Sequence, residues 1–120
     1  MQARRPRILL VDDVPTNLLT FANALEDEFA FQMVTSGAEA LEMAARSSPD
    51  LVLLDVMMPG MDGFEVCRRF KADPRLAKIP IIFVTALSDI KSHVVGLELG
   101  AEDFLTKPVN IEIARQRIKT

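Results

Sequence analysis

The sequence predicts an α/β fold, a five-stranded parallel sheet in the order 2-1-3-4-5 with helices on both faces. Three observations carry this. First, residues 8–11 (Ile-Leu-Leu-Val), 51–54 (Leu-Val-Leu-Leu) and 81–84 (Ile-Ile-Phe-Val) are unbroken apolar runs. Runs of that length bounded by polar residues suit strands buried on both faces of a parallel sheet. Second, helical patterns lie between the strand candidates, and such alternation implies βαβ units. Third, two further strand candidates, 31–34 and 103–105, are shorter or more mixed, which suits edges. Right-handed crossovers restrict the topology. The order 2-1-3-4-5 puts the three apolar strands in the middle and the two mixed ones outside. At 120 residues the chain fits one domain.

The elements come in regular alternation. After strand 1, residues 15–28 place Leu18, Ala22, Leu25 and Phe29 at the i, i+4, i+7, i+11 spacing of one helix face, and Pro15 stands near the start, where a missing N–H costs little. Residues 37–47 form a second helix with Ala38, Leu41 and Ala45 on one face and Ser36 as its cap. After strand 3 and the turn Pro59-Gly60, a third helix over 62–71 pairs Val66 with Phe70. Ser88 or Asp89 can cap a fourth helix that runs to Leu99 and ends at Gly100. Residues 111–119 read as a fifth.

Composition removes several function classes. A net charge of −3 gives no nucleic-acid surface, and the basic residues near the ends (Arg4, Arg5, Arg7, Arg115, Arg117, Lys119) read as solvated termini. Cys67 is the only cysteine, so neither an intrachain disulfide nor a cysteine zinc site is available. That suits a reducing compartment, and a cytoplasmic location is expected. The first seven residues are polar and basic and the apolar run behind them is short, so no secretory leader is expected. No apolar run approaches the ~20 residues of a membrane span.

In the order 2-1-3-4-5 the winding reverses between strands 1 and 3, and ligands of such sheets bind there, outside the carboxyl ends of the strands. Chemically distinctive residues stand at those ends. Strand 1 ends in Asp12-Asp13, strand 3 in Asp55, strand 4 in Thr85 followed by the small Ala86, and strand 5 leads to Lys107-Pro108. Taken singly these are ordinary features: an acidic turn, a β-forming threonine, a surface Lys-Pro. Their joint placement at four strand ends of one sheet points to a site. Carboxylates brought together repel and raise one another's pKa, a conflict that a hard cation such as Mg²⁺ removes. A carboxylate is also a competent nucleophile toward a phosphoryl group, and a lysine and a hydroxyl supply the neutralisation and positioning that such transfer needs.

These residues resemble those of the CheY-like receiver domains of bacterial two-component response regulators. The likeness runs from Ile8-Leu-Leu-Val-Asp-Asp13 to Lys107-Pro-Val109. It is carried above all by Leu53-Leu-Asp-Val-Met-Met-Pro-Gly-Met-Asp-Gly63, Val84-Thr-Ala86 and Gly100-Ala-Glu-Asp-Phe-Leu-Thr-Lys-Pro108. The resemblance implies the flavodoxin-like strand order, a phosphoprotein with the phosphoacceptor at Asp55, and Mg²⁺ on Asp12, Asp13, Asp55 and the backbone carbonyl of Met57. It also implies that Lys107 pairs with the phosphoryl group, that the Lys107–Pro108 bond is cis, and that Thr85 and Phe104 form the switch. A sensor histidine kinase or phosphotransfer protein would be the donor. The response would be a changed helix 4–strand 5–helix 5 surface, acting on an output domain, a partner or a second copy. Such a domain is not an enzyme beyond its own phosphorylation and dephosphorylation.

The short fifth helix suggests that residues 1–120 are a single receiver domain forming the N-terminal part of a longer protein. The run from Lys107 to Arg117 resembles receivers attached to cyclic-dinucleotide output domains or found in hybrid kinases. Where many members of the family have tyrosine at the switch, Phe104 has no hydroxyl, which excludes an output that reads one. Met57 and Leu87 stand two residues after Asp55 and Thr85, where the family tunes aspartyl-phosphate hydrolysis; neither can orient a water, so a half-life of minutes or longer is expected. His93 reads as a surface or interface residue, Cys67 as a small apolar residue of helix 3, and Met57, Met58 and Met61 as loop filler in preference to the lining of a partner-binding surface. A haloacid-dehalogenase-type phosphatase would need a second aspartate where Met57 stands, and its acidic pair comes late in the chain. A flavodoxin would not place two carboxylates in the loop that must hold a flavin phosphate. A degenerate receiver acting only as a binding module would not keep every acceptor and metal residue.

Overall fold

A computed structural model describes residues 5–86 and 90–119, apart from the side chains of Ile90 and Ser92. Ten elements alternate: β1 (Arg7–Val11), α1 (Pro15–Leu25), β2 (Ala30–Val34), α2 (Gly37–Ser47), β3 (Leu51–Leu54), α3 (Gly63–Ala72), β4 (Ile81–Thr85), α4 (Ile90–Glu98), β5 (Asp103–Thr106) and α5 (Ile111–Lys119). All four strand pairings are parallel and the order is β2-β1-β3-β4-β5, as the alternation of elements predicts. The unbroken apolar runs are the central strands, fully buried in β3 and β4 and nearly so in β1, whereas β2 and β5 keep exposed residues.

Because side chains alternate across a strand, each central strand feeds two cores. Leu9, Val11, Val52, Leu54, Ile81 and Phe83 face α2 and α3. Ile8, Leu10, Leu53, Ile82 and Val84 face α1 and α5 through Leu18, Phe21, Leu25 and Ala114. The two layers hold the sheet flat-on between helices and leave its ends to the loops.

Local chemistry sets most helix ends. Ser36 caps α2 by accepting the N–H of Glu39 at 3.2 Å, and Asp62 caps α3 by accepting that of Glu65 at 2.9 Å. The capping proposed for Ser88 or Asp89 lies outside the described residues. Helix α1 stops at Leu25 rather than at residue 28. Glu26, Asp27 and Glu28 would set three negative charges at the negative end of the helix dipole. Phe29 is still buried, beyond the helix.

Two expectations about faces are corrected. On α2 the buried stripe is Gly37, Ala40 and Ala44, with Ala38 and Ala45 exposed. Alanines at 38, 40, 44 and 45 offer two nearly equivalent stripes, and the larger Leu41 and Met43 flank the one chosen. The terminal basic residues are paired rather than merely solvated. Arg115 and Lys119 both bridge to Glu28, tying α5 to the end of α1. Arg117 pairs with Asp103, and Arg7 donates to the carbonyl of Ser47 at 2.7 Å; Arg4 lies outside the described residues. No helix among the described residues is long and apolar enough to cross a membrane.

Candidate functional site

The parallel strands all end on one side, and β1, β3, β4 and β5 deliver their next residues there. Asp55 follows β3 immediately and is 4% exposed. Its N–H bonds the carbonyl of Val11 at 2.9 Å, so the end of β1 fixes its backbone. Asp12 is buried and Asp13 half-buried. One carboxylate oxygen from each of the three lies within 4.8 Å of the others. These are hard oxygen donors with the charge of a divalent-cation site, and they fit Mg²⁺.

Lys107 comes to the same place from β5. Its Nζ lies 2.9 Å from Asp12 Oδ2 and 3.4 Å from Asp55 Oδ2. Its backbone N–H bonds the carbonyl of Thr85 at 2.9 Å, and the Lys107–Pro108 bond is cis, as expected. Thr85 is fully buried at the end of β4. The N–H of Met57 donates to Asp55 Oδ1 at 3.4 Å, while the Met57 side chain is 62% exposed.

Electrostatics follow from this crowding. Burial pushes the Asp55 carboxyl above its ordinary value and the charge of Asp12 pushes further, while Lys107 and the Met57 N–H oppose both without cancelling them. Burial works against the Lys107 ammonium, but its hydrogen bond to Asp12 and the charges of Asp55 and Asp12 outweigh that and hold it above its ordinary value. One ammonium thus serves two carboxylates, and the site keeps excess negative charge.

Phe104 lies at the middle of β5 with its ring buried against α4. It stacks on His93 at 4.2 Å and 12°, and its centroid is 5.2 Å from that of Phe83. His93, read as a surface or interface residue, is half-buried against the Phe104 ring. Met58 is buried and Met61 packs on the α2–α3 core, so of the three methionines read as loop filler only Met57 stays outside the core. Cys67 is a buried residue of α3, as expected. Leu87 lies outside the described residues.

Three residues of the site region lie beyond what strand ends could reveal. At Gly63 a Cβ would stand 2.3 Å from the carbonyl oxygen of Asp55, so only glycine lets α3 begin against the loop that follows β3. At Gly96 a Cβ would stand 2.4 Å from Phe104 Cζ. Asn17, on the first turn of α1, donates from Nδ2 to Asp12 Oδ2 at 3.2 Å. Gly63 at least belongs to the motif that carries the resemblance; Asn17 and Gly96 gave no signal.

Comparison with known proteins agrees with this geometry. The family model described as response regulator receiver domain matches residues 8–119. Response regulator PleD of Caulobacter vibrioides is 46% identical over 115 residues, which cover 95% of this chain and 25% of that protein. A probable cyclic di-GMP phosphodiesterase of Vibrio cholerae is 41% identical over 113 residues, 94% of this chain and 26% of that protein. The chain thus spans about a quarter of the length of these two relatives. A crystal structure of a response regulator from Chloroflexus aurantiacus superposes with a TM-score of 0.91 at 32% identity, covering 97% of this chain and 96% of that one. The chain belongs to the response regulator receiver domain family of two-component signalling.

Proposed function

We propose that this domain is a phosphoacceptor switch in which Asp55 takes a phosphoryl group from the phosphohistidine of a sensor kinase or phosphotransfer protein. The observation that carries the reading is the buried Asp55 carboxylate, with Lys107 Nζ 3.4 Å from its Oδ2 and two further carboxylates beside it. An Asp55 oxygen attacks phosphorus, the P–N bond of the donor breaks, and the imidazole leaves with the electron pair. Lys107 turns to an oxygen of the transferred group, and the Thr85 hydroxyl donates to another. Mg²⁺ held by Asp12, Asp13, Asp55 and the Met57 carbonyl would neutralise charge on the phosphoryl oxygens. The protein's own share is positioning and charge.

Phosphorylation adds nearly two negative charges and three acceptor oxygens. If Thr85 and Phe104 settle differently around that group, a differential interaction of about 2.8 kcal/mol shifts the two forms about a hundredfold. Phe104 stands on β5 with its ring stacked on His93 of α4, which supports a readout surface of α4–β5–α5, where a partner, an output domain or a second copy binds. Given the short share of its relatives' length that this chain spans, the output belongs to a longer cytoplasmic protein. A cyclic-dinucleotide enzyme is the output we favour, on the likeness to the Vibrio cholerae phosphodiesterase. Neither the exposed Met57 nor Leu87 can orient a water, so the aspartyl phosphate lasts minutes or longer.

Intact mass after incubation with acetyl phosphate, with and without Mg²⁺ and beside Asp55→Asn, tests the reading. The expected result is a Mg²⁺-dependent gain of one phosphoryl group that the variant lacks. No gain under any condition overturns it.

A further inference from the structure

Asp12 is the most heavily bonded carboxylate of the site. Its Oδ1 accepts the N–H of Val14 at 2.9 Å. Its Oδ2 accepts two side chains at once, Lys107 Nζ at 2.9 Å and Asn17 Nδ2 at 3.2 Å. Lys107 is shared in turn, because Asp55 Oδ2 lies 3.4 Å from the same nitrogen. If Asp55 is the acceptor, Lys107 must give up Asp12 to follow the phosphoryl group. A buried carboxylate oxygen that loses its only side-chain donor is costly, and Asn17 prevents that. Its amide stays on Oδ2 when the ammonium leaves. It is also neutral, so it satisfies the oxygen without placing a second cation in the acidic cluster.

Geometry keeps Asn17 in place. The Asn17 N–H bonds the carbonyl of Val14 at 3.0 Å, and the Val14 N–H bonds Asp12, so one turn fixes both ends of the contact. Lys107 and Asn17 both line a cavity of about 310 Å³ between α1 and the segment that leads from β5 into α5, which leaves the lysine room to move.

We propose that Asn17 is a positioning residue for Lys107: by sharing Asp12 Oδ2 it sets how readily the ammonium transfers from Asp12 to the phosphoryl group on Asp55. The proposal rests on the reading of Asp55 as acceptor. Two measurements test it on wild type, Asn17→Ala, Lys107→Ala and the double variant.

The first is the rate of phosphorylation by acetyl phosphate at saturating Mg²⁺. Asn17→Ala is expected to lower the maximal rate about tenfold and leave the half-saturating donor concentration unchanged. Asn17→Asp, with an acceptor where the donor was, loses at least as much. Asn17 is exposed, so a merely structural role would not move this rate.

The second is a urea-denaturation cycle without donor or Mg²⁺, which does not depend on phosphorylation. The double variant should lose more stability than the two single losses together, because only then does Oδ2 have no side-chain donor. An additive cycle overturns the sharing, whatever the rates. An unchanged maximal rate in Asn17→Ala overturns the positioning role even if the cycle shows coupling. A wild type that takes no phosphoryl group overturns the Asp55 reading and with it the transfer step, while the cycle still decides whether Asn17 and Lys107 share Asp12.

Discussion

Asp55→Asn should make the domain more stable, and the structure supplies the size of the effect. The three carboxylates place oxygens within 4.8 Å of one another. At 4.8 Å, the outer limit of that spacing, two unit charges repel by roughly 3.5 kcal/mol with an effective dielectric constant of about 20. Asp55 faces two such charges and one ammonium, whose attraction at 3.4 Å returns roughly 5 kcal/mol. A net repulsion of about 2 kcal/mol remains, and burial of the charge adds to it. Asparagine keeps the shape and removes the charge. In urea denaturation at pH 7.5 with EDTA, the variant should be about 1–3 kcal/mol more stable. The pH dependence has a definite sign. The folded-state pKa of Asp55 is raised, so between the unfolded and folded values the native state binds more protons than the unfolded one, and stability rises as pH falls. The advantage of the variant therefore narrows as pH drops through the folded pKa of Asp55 and is gone below the ordinary carboxylate range. Mg²⁺ should stabilise the wild type more than the variant. A variant no more stable than wild type in EDTA would refute the account of the site as a cluster of mutually repelling carboxylates.

Three further outcomes can be checked by similar means. Gly96→Ala gains about 1 kcal/mol of helix propensity, yet its Cβ would stand 2.4 Å from a Phe104 ring held between His93 and Phe83. A net loss of roughly 1–2 kcal/mol is expected on denaturation, most of it recovered by adding Phe104→Leu; a variant as stable as wild type would show that the ring is not confined. Gly63→Ala meets backbone atoms, the Asp55 oxygen at 2.3 Å and Val56 Cα at 2.8 Å, which cannot swing aside. A loss above about 3 kcal/mol and a lower phosphorylation rate are expected together, and a normal denaturation midpoint would contradict this. Cys67 is fully buried and burial raises its thiol pKa, so a thiol reagent should label it only on unfolding; prompt labelling in native buffer would refute its place in the core.

The strands and the residues at their ends were legible because two signals coincide at one position. An apolar run defines a buried strand, and the first polar residue after it marks where the strand leaves the core. In a parallel sheet every such residue lies on the same side, so Asp12, Asp13, Asp55 and Lys107 could be brought together from their order in the chain, with Thr85 at the neighbouring strand end. The residues that pack around Asp12 and Phe104 come from helices, and there the decisive variable is rotation about the helix axis. One residue is about 100° of turn, so a stripe misjudged by one position points elsewhere. The exchange of Ala38, Leu41 and Ala45 for Gly37, Ala40 and Ala44 on α2 is an error of that kind. His93 and Gly96, three positions apart on α4, turn a stacking ring and a bare backbone toward Phe104, but their partner lies across a loop, and a lone histidine and a lone glycine carry no periodicity.

Asn17 is the sharpest case of the same limit. Its pairing with Asp12 spans five positions and crosses the boundary between a turn and a helix, a separation that belongs to neither the period of a strand nor that of a helix. What makes the contact is the Val14 N–H on Asp12 Oδ1, which folds the chain back so that the first turn of α1 begins over the carboxylate it serves. An aspartate at a strand end thus does two jobs with two oxygens. One builds the turn, and the other is left for Lys107 and Asn17 to share. The acidic pair together with Asp55 predicts a cation site, but the division of Asp12's oxygens between turn and lysine depends on where a helix starts, and that is settled only when the turn closes.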